Sequence, residues 1–334
     1  MNAAEQTVQD ELPEGIKVED FFAHLPTHQY IYMPTGAMWP ASSVNAKLTG
    51  SGKKKANEWL DENRAVVQIT WTPAEPRIIE GKIIDDGGWV AEPGVQVFNQ
   101  YRPPAPVHGD PDDVGPWLNH IATIYPTDCD HIIAWLAHRC QRPGEKINHA
   151  LLLGGSPGIG KDTMLDPVRW AVGPWNCQEI SPQQLLGRFN GFVKAVLLRI
   201  SETRDLGDMD RYSFYEHSKQ YLAAPPEVLR CDEKHIKEHC VPNVMGVILT
   251  TNNKTNGLYL PADDRRHYVA WSSVKVESLP GDYFEINGEI KQCTAPLNSD
   301  AAGLGYLQFE PPLVRSPAND DPVIVTDPMG KFLV

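Results

Sequence analysis

The sequence has no apolar run long enough to cross a membrane, and it is poor in positive charge. Its 30 Lys and Arg residues stand against 43 Asp and Glu residues, so the formal net charge is −13. This balance excludes a protein coated with nucleic-acid-binding surface, but it still allows a ring that holds nucleic acid in a small basic pore. We therefore expect no membrane partner.

Cysteine is scarce and scattered as well. The six cysteines show no disulfide framework, which favours reduced thiols and a cytoplasmic location. The first residues, MNAAEQTVQDELPEG, are acidic and polar and do not fit a signal peptide. No solenoid or coiled-coil period is present. These absences leave an ordinary globular protein with 41% hydrophobic and 22% charged residues.

A glycine-rich turn follows a short apolar run near the middle of the chain. Residues 150–153 predict a buried strand, residues 154–160 a turn, and the spacing after Lys161 a helix. Strand, glycine loop, lysine and helix are typical of the phosphate-binding loop (P-loop) of a nucleoside triphosphatase, because backbone N–H groups, a helix N-terminus and an ammonium converge on one anion. The predicted nucleotide-binding residues are Gly155, Ser156, Pro157, Gly158, Ile159, Gly160, Lys161, Asp162 and Thr163.

One position departs from the usual P-loop pattern. Asp162 stands where a serine or threonine normally offers a hydroxyl to magnesium. Three interpretations stay open: Asp162 is itself a carboxylate ligand, Thr163 supplies the hydroxyl, or Asp162 caps the helix N-terminus. A glycine turn without any ligand is the plain alternative for the whole stretch.

Two later apolar runs end in polar residues. Residues 193–200 predict a buried strand followed by Glu202, at the place where a triphosphatase holds its water-activating acid. Residues 244–249 predict another strand followed by Asn252, whose amide can orient the attacking water. A surface acid and a turn asparagine are the ordinary alternatives. The predicted magnesium ligands are Asp162, Thr163 and Glu202.

An arginine pair precedes the last predicted strand of the core. In a ring, Arg265 or Arg266 could reach the γ-phosphate of a neighbouring copy and stabilise the transition state. The neighbouring Asp263 and Asp264 could instead pair with these arginines.

A charge-rich loop or hairpin is predicted over residues 223–243. Within it, Cys231, His235 and His239 follow a spacing that would place them on one face of a helix and suit a metal ion. The nearby Pro242 and the expected extended backbone argue against a zinc site of that kind.

Taken in order, these segments resemble the helicase part of phage and prophage primase–helicases, within helicase superfamily 3 of the AAA+ ATPases. The segments are GGSPGIGKDT, VLLRISETRD, LRCDEKHIKEHCVPN, VILTTNN and PADDRRHYVAW. The resemblance covers residues 114–271 well and residues 18–100 more loosely, and the GKDT variant itself is similar to that phage group. No primase active site is present, and residues 278–334 do not show the helical tail typical of the family.

The resemblance implies an α/β fold with a AAA+ P-loop NTPase core, a doubly wound, mostly parallel sheet, and ATP with Mg as cofactors. It implies a homo-hexameric ring that unwinds DNA from 3′ to 5′, with single-stranded or forked DNA, a primase and other replication proteins as partners. The location would be the host cell cytoplasm if the chain is phage-encoded. The implied catalytic residues are Lys161, Glu202 and Asn252, with Arg265 or Arg266 as the finger. The implied DNA-binding residues are Arg230 and Lys234.

The predicted organisation has six parts. They are a disordered tail at 1–17, a small β-rich module at 18–101, a linker at 102–113, a helical connection at 114–148, the ATPase core at 149–275 and an irregular extension at 276–334. Two other functions remain open: a non-helicase P-loop ATPase or kinase, and a DNA-binding assembly protein with a degenerate nucleotide site.

Overall fold

A computed structural model of the chain describes residues 15–48, 54–105, 114–201, 207–234, 236–254, 258–275 and 279, and the backbone of four short strands between 282 and 324. These residues form two compact units. The first comprises the described residues up to Ile69, with Arg77–Ile83 and Val90–Gln100. The second comprises Thr70–Pro76, Ile84–Trp89 and the described residues from Tyr101 onward.

The first unit contains a four-stranded sheet in the order β3-β2-β1-β4. Its strands are β1 (Phe21–His24), β2 (Gln29–Tyr32), β3 (Ala37–Pro40) and β4 (Ala65–Val66), and its helices are α1 (Ala41–Lys47) and α2 (Ala56–Asn63). Phe21, Tyr30, Val44 and Leu60 are buried together and form its small core.

Three further strands form a sheet in the order β5-β7-β6. They are β5 (Gln68–Thr70), β6 (Ile78–Asp85) and β7 (Gly88–Asn99). The prediction of a β-rich N-terminal part is confirmed. The turn between β6 and β7, together with the strand residues next to it (Ile84–Trp89), belongs to the second unit.

The second unit is organised around a five-stranded sheet in the order β14-β8-β13-β10-β9, and every neighbouring pair is parallel. The strands are β8 (Ala150–Gly154), β9 (Cys177–Ile180), β10 (Leu197–Ile200), β13 (Gly246–Thr251) and β14 (His267–Trp271). Every residue of β8 and β13 is buried, as expected for parallel strands covered on both faces. The predicted α/β class with a mostly parallel sheet is therefore confirmed.

The helices of this unit are α3 (Gly115–Ile124), α4 (Cys129–Gln141), α5 (Asp166–Ala171), α6 (Pro182–Leu185) and α7 (Gly207–Leu222). The aromatic and apolar residues at 114–140 have helical spacing, which predicts helices with a packing face, and α3 and α4 confirm these helices. At α6, the Gln184 N–H donates to Ser181 Oγ over 3.3 Å, and the Ser181 N–H donates to Gln184 Oε1 over 2.8 Å. The sequence from Ser181 to Asn190 predicts a capped helix start, and this reciprocal cap confirms it.

The remaining strands form antiparallel pairs. Hairpin β11–β12 (Val228–Glu233 and Ile236–Pro242) occupies the predicted charged segment. Strand β15 (Asp282–Ile286) pairs with β16 (Glu289–Cys293), and β17 (Leu313–Arg315) pairs with β18 (Pro322–Ile324). The strand-like stretch at 306–309 lies outside the described residues. Across the described part of the chain, no helix combines the length and the apolar character that spanning a membrane requires.

Candidate functional site

The glycine loop begins where β8 ends, at the carboxyl edge of the parallel sheet. Gly155 and Gly160 have φ angles of +150° and +86°, which side-chain-bearing residues rarely adopt. A Cβ atom on Gly160 would lie 2.5 Å from the ring of His120. The loop therefore needs glycine at this position both for its backbone conformation and for its contact with α3.

Lys161 connects the glycine loop to the neighbouring strand β13. Its Nζ donates to Asn252 Oδ1 over 2.8 Å, and also to the carbonyl oxygens of Gly155 and Ser156 over 3.0 Å and 2.8 Å. Lys161 is only 7% exposed, and this burial lowers its pKa, an effect that the nearby Asp162 carboxylate opposes. The structure thus brings together the predicted phosphate-binding lysine and the predicted sensor asparagine.

The segment after Lys161 differs from the prediction. Residues 161–165 form turns, and helix α5 begins only at Asp166, with Leu165 at its N-cap. Pro167 explains the late start, because it has no N–H to donate to Thr163 and is tolerated only in the first turn of a helix. The predicted helix is therefore present but starts later than expected, and the interpretation of Asp162 as its N-cap was wrong, because Leu165 holds that position.

Asp162 forms an ion pair with a residue of strand β10. Its Oδ1 accepts a hydrogen bond from Arg199 Nη2 over 2.5 Å, and Arg199 Nη1 lies 3.7 Å from Glu179 Oε2. Arg199 is on β10, so the charged group that compensates Asp162 comes from the sheet. Asp162 is exposed and Thr163 is half-buried. A magnesium role for either residue stays a prediction.

The predicted catalytic acid, Glu202, lies outside the described residues. The strand leading to it is present, although β10 is shorter than predicted and begins at Leu197. The following Ser201 N–H donates to Ile180 O over 3.2 Å and continues the contact between β10 and β9.

Helix α3 supplies residues that the sequence interpretation did not assign to the site. Trp117 Nε1 donates to Met164 O over 2.9 Å, and Tyr125 OH donates to Gly154 O over 3.2 Å. His120 Nε2 lies 3.1 Å from Gly160 O. The aromatic and apolar spacing of residues 114–140 predicted only a packing face. These hydrogen bonds show that it also holds the backbone of the loop.

Arg265 and Arg266 lie in a short turn whose backbone is held by hydrogen bonds. Arg265 is exposed and Arg266 is half-buried, and neither forms an ion pair with Asp263 or Asp264. Instead, Asp264 Oδ2 accepts hydrogen bonds from the backbone N–H groups of Arg266 and His267 over 3.2 Å and 3.0 Å. Asp264 therefore fixes the backbone of this turn, and its hydrogen bonds go to backbone N–H groups and not to either guanidinium group.

In the predicted DNA-binding hairpin, the positive charge of Arg230 is paired with two carboxylates. Arg230 Nε donates to Asp86 Oδ1 over 2.8 Å, Arg230 Nη2 also pairs with Asp86, and Nη1 lies 3.4 Å from Glu238 Oε1. Hydrogen bonding to Arg230 lowers the pKa of Asp86. Lys234 is exposed at the end of β11. The residue predicted to bind phosphates thus binds carboxylates in this structure.

Comparison with known families adds one match. The profile of a "Family of unknown function (DUF5906)" matches residues 152–266, which is less than half of the chain. No curated protein matches.

Comparison with solved structures shows the fold. An apo structure of the NrS-1 C-terminal region (A form) is similar with a TM-score of 0.59 and 18% identity, over 78% of this chain and 60% of that one. A second apo structure of that region gives a TM-score of 0.58 at 18% identity, over 75% and 57% of the two chains. The alignments thus span less than two thirds of the NrS-1 chains. A JCV helicase structure gives only 0.34 at 13% identity.

Proposed function

We propose that this chain is an ATP-hydrolysing motor of DNA replication, a superfamily 3 helicase of the AAA+ type that works as a homo-hexameric ring. The observation that carries the proposal is the contact between Lys161 and Asn252 at the ends of two adjacent parallel strands. One side chain would bind the outer phosphates of ATP, and the other would orient the water that attacks the γ-phosphate.

The architecture supports this proposal. Counted along the chain, the five parallel strands have the order 5-1-4-3-2, and the glycine loop follows the strand that lies between β14 and β13. Ligands of open parallel sheets bind at the carboxyl ends of the strands, where Lys161 and Asn252 lie. The order of the sequence motifs adds the resemblance to phage primase–helicases.

The remaining catalytic roles follow from the positions of the residues in the sequence motifs. Asp162, Thr163 and Glu202 are the residues that would hold magnesium, and the ion would supply positive charge that offsets the charge developing on the phosphates. Arg265 and Arg266 have no carboxylate partner on their own turn, and in the proposed ring one of them is the finger for the nucleotide of an adjacent subunit. In DNA binding, Arg230 and Lys234 would contact phosphates and give an affinity that depends on salt but not on sequence.

The proposal is tested with the full chain by measuring phosphate release from ATP with and without single-stranded DNA. We expect hydrolysis that DNA stimulates, and loss of hydrolysis in Lys161→Ala with an unchanged circular dichroism spectrum. Lys47→Ala, which alters an exposed lysine of α1, is the matched control and should be fully active. Equal turnover by Lys161→Ala and wild type would end the proposal.

Shared active sites need a separate test. Lys161→Ala subunits are mixed with Arg265→Ala or Arg266→Ala subunits, each expected to be inactive by itself, and turnover is measured against the mixing ratio. A finger acting between subunits makes the mixture active, because the intact loop of an arginine variant and the intact arginine of a Lys161→Ala subunit together form a complete site. No recovery of turnover at any ratio would contradict the shared site and favour a kinase or ATPase that uses its arginines within one chain.

A second candidate is an assembly protein with a degenerate nucleotide site. It is favoured by Lys161 bonding to the loop's own carbonyl oxygens and by Asp162 pairing with Arg199. Tight binding of ATP without phosphate release, in the presence of DNA and magnesium, would support this candidate over the motor.

A further inference from the structure

Hairpin β11–β12 has two chemically different faces. Arg230 and Cys240 are directly opposite each other and lie on the face near Asp86. The next pair in the register, Cys231 and His239, is buried on the other face, because successive strand residues point to opposite sides. The buried face therefore places a thiol beside an imidazole.

Glu233 completes this cluster. It follows Cys231 by two residues, and although the register of the hairpin shifts between them, its carboxylate lies close to the Cys231 thiol. Ligand-type atoms of Cys231, Glu233 and His239 all lie within 4.8 Å of one another. Sulfur, nitrogen and carboxylate oxygen thus converge at one point of the hairpin.

Only one of the two ring nitrogens of His239 forms a hydrogen bond among the described residues. Its ring is 7% exposed, and its Nδ1 lies 3.2 Å from Lys237 O, which makes Nδ1 the protonated nitrogen. Its Nε2 is buried without a hydrogen-bond partner among the described residues. Because Nδ1 carries the proton in the neutral ring, the lone pair is on Nε2. A metal-binding histidine has the same arrangement, in which one ring nitrogen donates to a carbonyl and the other is the ligand.

The other two side chains can be explained in part without a metal. Glu233 forms an ion pair with Lys194, and its negative charge together with burial raises the pKa of Cys231 to about 12. This network uses the carboxylate and the thiol but leaves the lone pair of His239 Nε2 unused. A bound cation would use that lone pair and would also stabilise the thiolate.

We propose that Cys231, Glu233 and His239 bind a divalent transition-metal ion of the zinc class. One thiolate, one imidazole and one carboxylate suit zinc, and three protein ligands leave a fourth position for water. Binding forms a sulfur–metal bond and releases the Cys231 thiol proton to solvent. The metal ties β11 to β12 and braces the hairpin that carries Arg230 and Lys234. The site does not depend on nucleotide hydrolysis.

Cobalt is the probe for this site. The full chain is stripped with a chelator and titrated with Co²⁺, which in a thiolate site gives a sulfur-to-metal charge-transfer band and visible bands; Zn²⁺ should then displace it. We expect one ion per chain, and an affinity at least about tenfold weaker in Cys231→Ser and in His239→Gln. Cys240→Ser, on the other face of the hairpin, is the matched control and should bind like wild type.

Folding is followed for each variant by circular dichroism and thermal unfolding. Zn²⁺ should raise the melting temperature of wild type and Cys240→Ser, but not of His239→Gln. If Cys231→Ser does not fold, Glu233→Gln and His239→Gln decide the question with the cysteine in place. Absence of the charge-transfer band in wild type, or its persistence at full affinity in Cys231→Ser, would overturn the proposal.

Discussion

Lys161 Nζ and Asn252 Oδ1 are 2.8 Å apart, although 91 positions separate the two residues in the sequence. The contact forms because β8 and β13 are adjacent and parallel, so that their carboxyl ends meet at one edge of the sheet. The lysine that follows β8 and the amide that follows β13 thus lie at the same point of the sheet edge.

Replacing Asn252 should affect the chemical step more than nucleotide binding. We expect Asn252→Ala to lower kcat for ATP roughly 100-fold, because the attacking water loses a group that orients it. ATP affinity should change little, since the loop and Lys161 remain. Steady-state hydrolysis and nucleotide titration separate the two effects. Asn253→Ala is the control, and equal losses in both variants would contradict a specific role for Asn252.

Gly160 should tolerate no side chain. Its φ of +86° and the 2.5 Å approach to His120 predict that Gly160→Ala lowers the free energy of unfolding by about 1–3 kcal/mol and weakens ATP binding. Gly115→Ala has open space around its Cβ and should be nearly neutral. Denaturant unfolding measures both. Adding His120→Ala should relieve the steric part only, and a full rescue would show that backbone strain is unimportant.

Asp162 can be tested as a magnesium ligand. If its carboxylate binds the metal, Asp162→Ala should raise the magnesium concentration needed for half-maximal hydrolysis, while Asp162→Ser should restore a ligand. Arg199→Ala should lower that concentration, because Asp162 is released from its ion pair. Hydrolysis rates across a magnesium titration give these values. An unchanged requirement in Asp162→Ala would leave Thr163 as the candidate.

Asp86 should compete with DNA for Arg230. Asp86→Asn removes the carboxylate that holds the guanidinium, so we expect single-stranded DNA to bind a few-fold tighter. Arg230→Ala should weaken binding and reduce the slope of log affinity against log salt by about 1. Fluorescence anisotropy at several salt concentrations measures both.

The control for charge alone is Glu92→Gln, which changes an exposed carboxylate by the same amount. A gain in DNA affinity from Glu92→Gln equal to that from Asp86→Asn would show that only net charge matters.

Asp264 should make stability depend on pH. Burial acts to raise the pKa of this carboxyl, but charge attraction and hydrogen bonding from His267 and Tyr215 outweigh it, and the pKa is lowered. A lowered folded-state pKa contributes stability above the unfolded value of about 4, and this stability is lost as pH falls through the folded value. Asp264→Asn should thus destabilise the protein at pH 7, and the difference should shrink as pH falls below about 4 and through the folded-state pKa. Thermal unfolding across pH checks this, and a constant difference would contradict it.

Local patterns in the sequence were sufficient to predict several strands, a helix start and a loop. Continuous apolar runs predicted the buried strands β8 and β13, since a strand covered on both faces has no polar side. Ser181 and Gln184 predicted the start of α6, because both partners of the cap lie within four residues. The glycines and Lys161 predicted a tight loop at a strand end. Each of these inferences depends on near neighbours in the chain.

Contacts between distant segments could not be predicted in this way. Arg199 reaches Asp162 from β10, and Asp86 reaches Arg230 across 144 positions from the turn between β6 and β7. The sequence does not show that these segments are adjacent to the predicted site residues. The spacing of Cys231 and His239 suited a helix, yet the chain folds there as a hairpin that places the two side chains opposite each other. Whether two charges pair, and whether two side chains can bind one metal ion, depends on their distance in space. The tertiary structure sets that distance.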